Sequence, residues 1–275
     1  MVAFYSTSSL AKEVFINAKT VEVDKTSNIL KAKGSVEIYD KLNNFIFSEN
    51  AEYNKAKGIV KTIGPTKIIT SEKYEVEGID MFYDDNKKII YSENFTVITD
   101  VNGNKISVDM FNYLTLKNMF FSTGEIEVLD NRSNKYLFSE IYIDEKNKKI
   151  VGSDIKSYLN DETFKTDERN QPRFHANSAT ITKENTLFEK GVFTSCKIRE
   201  DDKCPPWAIR AKKIEHNSAK KTIYYHNAVM KIYDFPVFYF PKFFHPDPTV
   251  KRQSGFLIPT FADSTNLGSS FTIPY

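Results

Sequence analysis

One pattern of apolar and polar residues returns along the chain with a period of 30 residues, and its copies align on an anchor position at Asp24, Asn54, Asp84, Leu114 and Asp144. Apolar residues occupy alternate positions on both sides of the anchor, and a period of two places them on one face of a β-strand. Val, Ile, Thr, Tyr and Phe dominate these runs, as in pleated and half-buried sheets. The pattern therefore predicts two antiparallel strands of roughly 8–11 residues in each repeat, joined by a short turn.

Two further features predict where each repeat turns and bends. Polar links that are typical of turns follow the anchor, for example at residues 55–58 and 85–88. Ten positions after the anchor stands a residue type that tolerates positive φ, namely Gly34, Gly64, Asn94, Gly124 and Asp154. Within a strand such a residue marks a bulge or a bend. A bend at the same place in every repeat predicts an all-β fold, a repeat-built antiparallel sheet folded lengthwise into a V or a flattened roll with a continuous apolar interior.

Composition narrows the class of function. The 38 basic and 36 acidic residues are scattered and leave a net charge of +2, which argues against a nucleic-acid surface. No apolar run reaches the length of a membrane-spanning helix. Residues 1–12 lack the pattern of a signal peptide, so we expect either a cytosolic chain or a targeting segment that is missing from this sequence. We find no convincing pair of catalytic carboxylates, and we expect no enzyme activity, no metal and no cofactor.

The later part of the chain changes in character. We expect an N-terminal tail over 1–11, the repeat domain over 12–234, a connector over 235–259 and the start of a further β domain over 260–275. Five prolines and many aromatic residues occupy the connector. Proline lacks an N–H donor, so these positions exclude a regular helix and a central strand. The pattern from 260 to 275 stops without an ending, and we expect a truncated domain there.

Cys196 and Cys204 are the only two cysteines, and a polar, turn-prone segment separates them. In an oxidising compartment they could form a disulfide within this loop. The alternatives are two reduced thiols, or thiols that pair elsewhere. A zinc site needs four ligands, and His175 and His216 lack the usual paired spacing.

Several motifs near the end of the repeats resemble the LptD (organic-solvent-tolerance, or OstA) lipopolysaccharide-assembly family. They are Cys204-Pro-Pro-Trp207, Pro236-Val-Phe-Tyr-Phe-Pro241, His245-Pro-Asp-Pro-Thr249 and Arg252-Gln-Ser-Gly-Phe-Leu-Ile-Pro259. The 30-residue repeats resemble the OstA repeat of periplasmic components of the same transport system. The resemblance covers nearly the whole chain from about Lys12.

The resemblance implies a periplasmic β-jelly roll that carries the acyl chains of lipopolysaccharide toward an outer-membrane β-barrel. It implies a location at the cell outer membrane, with this segment facing the periplasm. The implied partners are lipopolysaccharide, a periplasmic OstA-type bridge protein that pairs with an edge strand, and, through the barrel, a plug lipoprotein. By this resemblance we expect residues 260–275 to be the start of a truncated β-barrel, because this sequence stops where the first barrel strands of the family begin. It also departs from the family in having no recognisable signal peptide and no barrel cysteines, to which N-terminal cysteines often bridge in the family.

An apolar groove as long as the stack of repeats would offer a lipid many similar binding positions. We predict that the groove is lined by apolar positions beside the anchors and on the facing strands. These are Val21, Val23, Leu30, Ala51, Tyr53, Val60, Met81, Tyr83, Ile90, Phe111, Tyr113, Phe120, Ile141 and Ile143. The alternative is a dry core, which inward residues of most β-proteins form. Two other classes remain open: a soluble bridge or adaptor built only of OstA repeats, which would not need the connector motifs, and a carbohydrate-active β-helix, which would need clustered carboxylates.

Overall fold

The computed structural model describes residues 14–24, 27–131, 133–158, 170–182, 184–196, 205–217, 219–246, 250, 260–264 and 268–273. The secondary structure of these residues consists of strands and turns, which confirms the all-β prediction. Within this part of the chain, no helix has the length and the apolar character needed to cross a membrane.

The strands follow one another in this order: β1 (Val14–Asn17), β2 (Thr20–Asp24), β3 (Ile29–Asp40), β4 (Phe45–Asn54), β5 (Ile59–Ile69), β6 (Glu75–Ile79), β7 (Phe82–Asp84), β8 (Ile89–Ser92), β9 (Thr96–Thr99), β10 (Lys105–Val108), β11 (Phe111–Leu114), β12 (Met119–Leu129), β13 (Lys135–Asp144), β14 (Lys149–Tyr158), β15 (Asn170–Ile181), β16 (Asn185–Cys196), β17 (Trp207–Asn217), β18 (Thr222–Ile232), β19 (Phe235–Pro246), β20 (Thr260–Ser264) and β21 (Gly268–Thr272).

The chain divides into two compact units, one of residues 1–124 with 144–146 and the other of residues 125–143 with 147–275. In the first unit β3, β4 and β5 are long antiparallel strands in register. On either side of these three strands, a pair of short strands lies along one long strand. The short strands β1 and β2 both pair with β3, and β6 and β7 both pair with β5. From there the sheet continues as two half-sheets, β6–β9–β10 and β7–β8–β11. Apolar side chains from the two halves meet in the interior, which gives the unit the architecture of a β-jelly roll.

The predicted bend is present where the sequence places a residue that tolerates positive φ. Gly34, Gly64, Gly124 and Asp154 all have positive φ. At Gly34 and Gly64 two residues of one strand face a single residue of the next, since the register shifts between Lys33 and Val36 and again opposite Glu49. Such a bulge bends the strand. In the third repeat the corresponding strand is interrupted between β8 and β9, and Asn94 is not among the described residues with positive φ.

The turns after the anchors form a hydrogen-bonded ladder. The fourth residue of each turn has positive φ, at Asn28, Gly58, Lys88, Asn118 and Lys148. The first residue of each turn donates its backbone N–H to the carbonyl of that fourth residue in the preceding turn, over 2.9–3.1 Å, in the pairs Lys55–Asn28, Asp85–Gly58, Thr115–Lys88 and Glu145–Asn118. Anchor side chains also accept from their own turns, as Asn54 Oδ1 does from Lys57 N at 3.0 Å. The anchor side chain of Asn54 therefore stabilises the turn that follows it.

Other turns lie at the opposite strand ends, and an Asp-x-x-x-Asn pair stabilises three of them. The carboxylate of Asp40 accepts from the backbone N–H of Asn44 at 3.0 Å and from its side-chain amide at 2.9 Å. Asp100 with Asn104 and Asp130 with Asn134 repeat this arrangement. In the turn between β5 and β6, Thr70 and Tyr74 take the two places.

The second unit is a regular antiparallel meander in which β14 to β19 pair with their chain neighbours. The sequence placed residues 235–259 in a connector, but Phe235–Pro246 forms strand β19, which pairs with β18. Its prolines are compatible with this position because a strand at the side of a sheet does not need every N–H for the ladder. A short hairpin of β20 and β21 lies within 260–275, and its assignment to a further domain stays a prediction.

Candidate lipid-binding interior

The structure buries most of the residues that were predicted to line a groove. In the first unit these are Ala51, Tyr53, Val60, Met81, Tyr83, Ile90, Phe111, Tyr113 and Phe120. In the second unit Ile141 and Ile143 are buried as well. Apart from Met81, which directly precedes β7, each comes from the inward face of a strand, and β4 shows how buried and accessible side chains alternate there. Within each unit the repeat therefore places equivalent apolar positions in the interior, and the binding of a lipid there stays a prediction.

Three predicted groove residues have a different environment. Val21 and Val23 on β2 are 47% and 51% exposed, and Leu30 on β3 is half-buried. All five residues of β2 are exposed. This strand pairs with the N-terminal half of β3, and its side chains lack the cover that the later repeats receive.

Side chains pack closely at two places in the interior of the first unit. The ring of Phe120 lies 4.4 Å from that of Tyr113, 6.1 Å from that of Phe111 and 5.9 Å from that of Tyr74, measured between centroids. Elsewhere in this interior, a cavity of only about 10 Å³ is lined in part by Ile38, Ile46, Tyr83 and Ile90. This is close to the roughly 10–15 Å³ that a cavity needs to hold a single water molecule, and it is far too small for an acyl chain. An acyl chain could enter only if side chains moved or the two half-sheets separated.

One carboxylate is buried in this apolar interior. Glu145 is 0% exposed. Its Oε1 accepts a hydrogen bond from the Thr70 hydroxyl at 2.9 Å, and its Oε2 accepts one from the Tyr113 hydroxyl at 2.7 Å. Burial, and then the charge of Glu145, raises the pKa of Tyr113 well above its usual range, so this phenol stays protonated as a donor. Burial, and then the charge of Asp100, raises the pKa of nearby Tyr74 to about 12.

Sequence reasoning missed this polar cluster. Thr70 and Glu145 are 75 residues apart in the chain. The alternation of apolar and polar residues does not distinguish either of them from its neighbours. A signal was nevertheless present, because Thr70 and Tyr74 replace the Asp and Asn that occupy the corresponding turns of the neighbouring repeats.

Strand β19 presents an unusual apolar surface. Phe235 is 74% exposed, and Phe238, Tyr239, Phe240 and Phe244 are exposed as well. Phe238 stacks on Phe271 of β21 with a centroid distance of 6.4 Å. Such a concentration of exposed aromatic residues is typical of a contact surface.

The two cysteines are only partly covered by the structure. Cys196 ends β16, is half-buried, and its thiol lies 3.8 Å from the carbonyl oxygen of Trp207. Cys204 lies outside the described residues. The pairing of the two cysteines therefore stays a prediction.

Taken together, the fold and its interior define a repeat-built antiparallel β-jelly-roll protein whose inward positions are equivalent from repeat to repeat. No family model matches the chain. Its sequence is similar to the LPS-assembly protein LptD of several bacteria, which confirms the resemblance predicted from the motifs. The names of these relatives describe assembly and not a catalysed reaction, in agreement with the prediction that the chain is not an enzyme.

The similarity covers part of each sequence. LptD of Idiomarina loihiensis is 31% identical over 132 residues, which are 46% of this chain and 17% of that protein. LptD of Shewanella sp. strain MR-4 is 41% identical over 76 residues, or 26% of this chain and 10% of that protein. LptD of Yersinia pestis bv. Antiqua is 34% identical over 90 residues, or 33% and 11%. The chain thus matches less than a fifth of the length of these relatives.

A solved structure was also found to be similar in part. LptH of Pseudomonas aeruginosa, described as the LptA homologous periplasmic component of a lipopolysaccharide transport device, aligns with 50% of this chain and 79% of its own. The sequence identity is 13% and the TM-score is 0.22, values too low to establish a common fold.

Proposed function

We propose that this chain takes part in lipopolysaccharide transport and assembly at the outer membrane, by shielding acyl chains inside the β-jelly roll and passing them toward a membrane-embedded part. The observation that carries the proposal is the repetition of one buried apolar row, for example Ala51, Met81 and Phe111, in a chain similar to LptD. Equivalent positions offer a lipid similar binding energies, so movement along the row meets low barriers. Each buried CH₂ is worth about 0.8 kcal/mol, which is a sufficient reason to cover acyl chains during transfer.

In this proposal the predicted groove residues line an interior that is closed without lipid and widens when an acyl chain enters. Their side chains fill the space in the absence of lipid, and an acyl chain would replace contacts among them by contacts with itself. Because apolar packing is non-directional, such an exchange loses little free energy. Polar headgroups would remain outside the apolar interior.

The partners and the location follow from the same proposal. An edge strand offers unpaired backbone groups that a second sheet can use, and the exposed strand β2 suits the periplasmic bridge protein. A plug lipoprotein would contact the barrel that the family resemblance implies. The segment would face the periplasm, an oxidising compartment in which Cys196 and Cys204 could form a disulfide.

Lipid binding can be tested with a matched pair of variants. Ala51→Leu adds bulk to a buried inward position, whereas Glu52→Leu changes the next residue, which belongs to the outer face. We expect co-elution of a short-core lipopolysaccharide with the whole chain in gel filtration, severalfold less of it with Ala51→Leu, and an unchanged amount with Glu52→Leu. Equal binding by all three proteins, or no binding by the unchanged chain, would contradict the proposal.

The bridging role needs its own experiment. Backbone N–H groups alternate in direction along a strand, so prolines at both Val21 and Glu22 must remove one donor from the free side of β2. We expect loss of capture by a purified OstA-repeat bridge protein. Unchanged capture would show that β2 is not the docking edge.

A further inference from the structure

The buried carboxylate joins two parts of the first unit that lie at opposite ends of its strands. Thr70 follows the last residue of β5, whereas the turn at 55–58 precedes the first. An extended strand of these 11 residues would separate its ends by roughly 36 Å. Glu145 belongs to the row of turns that contains 55–58, because its N–H continues their hydrogen-bonded ladder. Its side chain nevertheless reaches Thr70. The bend therefore brings turns from opposite strand ends together, and these two lines of turns are the free edges of the roll.

The contact uses residues that depart from the repeat. At the positions equivalent to Thr70, the turns carry Asp40, Asp100 and Asp130. The Thr70 hydroxyl keeps the local role of those carboxylates, since it accepts from the Tyr74 N–H at 3.1 Å. It can also donate, which an ionised aspartate cannot do. An aspartate here would place a second carboxylate against Glu145, and the substitution of threonine avoids that repulsion.

Tyr113 completes the arrangement from the opposite half-sheet. It lies on β11, which pairs with β8 and β12, and its hydroxyl holds the second carboxylate oxygen of Glu145. Hydrogen bonds to a charged acceptor are roughly twice as strong as neutral ones. They are also specific in direction, unlike the apolar contacts around them. A few such bonds can therefore hold an edge closed and still leave two discrete states.

We propose that Thr70, Tyr113 and Glu145 form a latch that closes the free edges of the first unit, and that the latch parts when an acyl chain enters the interior. This inference rests on the proposed function for its ligand, but the closing of the edge does not. While the latch is intact, the hydrogen-bonded edges would block the entry of lipid. Lipid that enters as the latch parts meets an apolar surface of equivalent positions.

Opening can be measured without any lipid by the reactivity of a buried thiol. The reporter is Ala51→Cys in the whole chain with Cys196→Ser and Cys204→Ser, because Ala51 is 3% exposed. Thr70→Asp replaces the donor by a second carboxylate, and its loss of a charge-assisted bond predicts at least about a tenfold faster reaction with N-ethylmaleimide. Thr70→Ser retains the hydroxyl and is expected to react at the unchanged rate. Asp40→Ala weakens the equivalent turn of the preceding repeat and serves as the control for a general loss of stability.

The outcomes separate the latch from the lipid. A rate for Thr70→Asp within about twofold of the unchanged chain, or equal to that of Asp40→Ala, would overturn the latch. If Thr70→Asp does not fold, Thr70→Val removes the donor without adding charge, and the same comparison applies. Binding of cis-parinaric acid is then measured on the same proteins. A faster thiol reaction of Thr70→Asp, with no fatty-acid binding by any of the proteins, would support the latch and contradict the lipid proposal. Fatty-acid binding with an unchanged thiol reaction would support the lipid proposal and contradict the latch.

Discussion

The ring of Phe120 contacts three other aromatic rings in the core of the first unit, so truncating this side chain is a strong test of how that unit is packed. Phe120 is 2% exposed and its ring meets those of Tyr74, Phe111 and Tyr113. Phe→Ala in a core costs about 3–5 kcal/mol, and each aromatic pair contributes about 0.5–1.5 kcal/mol beyond buried area. With three pairs lost, we expect Phe120→Ala to lower the free energy of unfolding by about 4–5 kcal/mol.

The assay is urea unfolding of the whole chain, followed by far-UV circular dichroism. Fluorescence is less suitable because the single tryptophan, Trp207, lies in the second unit. Phe120→Leu retains most of the volume and should lose about 1.5 kcal/mol. Phe95→Ala is the control, since Phe95 is 60% exposed and its truncation should change stability by no more than about 0.5 kcal/mol.

The result also bears on the interior as a lipid site. A loss of less than about 1.5 kcal/mol for Phe120→Ala would refute the packing described above. If the interior accepts acyl chains, the space left by the ring should also increase binding of cis-parinaric acid. A stable variant with no such increase would favour a dry core.

Three further predictions concern single features of the fold. Gly64→Ala and Gly152→Ala should both destabilise the chain in urea, the first by about 1–2 kcal/mol because φ is +86° and the second by about 1–3 kcal/mol because a Cβ would lie 2.4 Å from Phe138 Cδ1. Asp100→Ala should cost about 1–3 kcal/mol in the same assay, because two backbone N–H groups and one side-chain amide of its turn lose their acceptor. The urea midpoint should fall as the pH rises from 10 to about 12, because the pKa of Tyr74 is about 12 in the folded chain and 10 when exposed. The unfolded state then releases this proton first, which favours unfolding, and the loss should be smaller in Tyr74→Phe.

The local architecture could be predicted from the sequence because it is repeated. The anchor at Asn54 accepts from its own turn, and Gly34 and Gly64 have the positive φ that their spacing predicted. Each of these features depends on residues within one or two strands. Repetition makes such local signals readable, since the same residue types return at the same offset.

Other features depend on tertiary contacts that no local pattern contains. The half-strands β6 and β7 are separated at Asp80, which has positive φ, and neither residue of the break, Asp80 or Met81, is a proline or a glycine. The contact of Thr70 with Glu145 joins positions in different repeats. Strand β19 was assigned to a connector because its prolines exclude a regular helix and a central strand, although a strand at the side of a sheet tolerates them.

The central claim is that the inward face of the repeats contacts lipid. It is tested most directly by a photoreactive amino acid placed at Phe111, which is buried on that face, and in a separate protein at Asn112, the next residue along β11. Both proteins are irradiated in cells that produce lipopolysaccharide. We predict a lipopolysaccharide adduct at Phe111 and not at Asn112. Adducts at neither position in a folded protein, or equal adducts at both, would contradict transport through the interior.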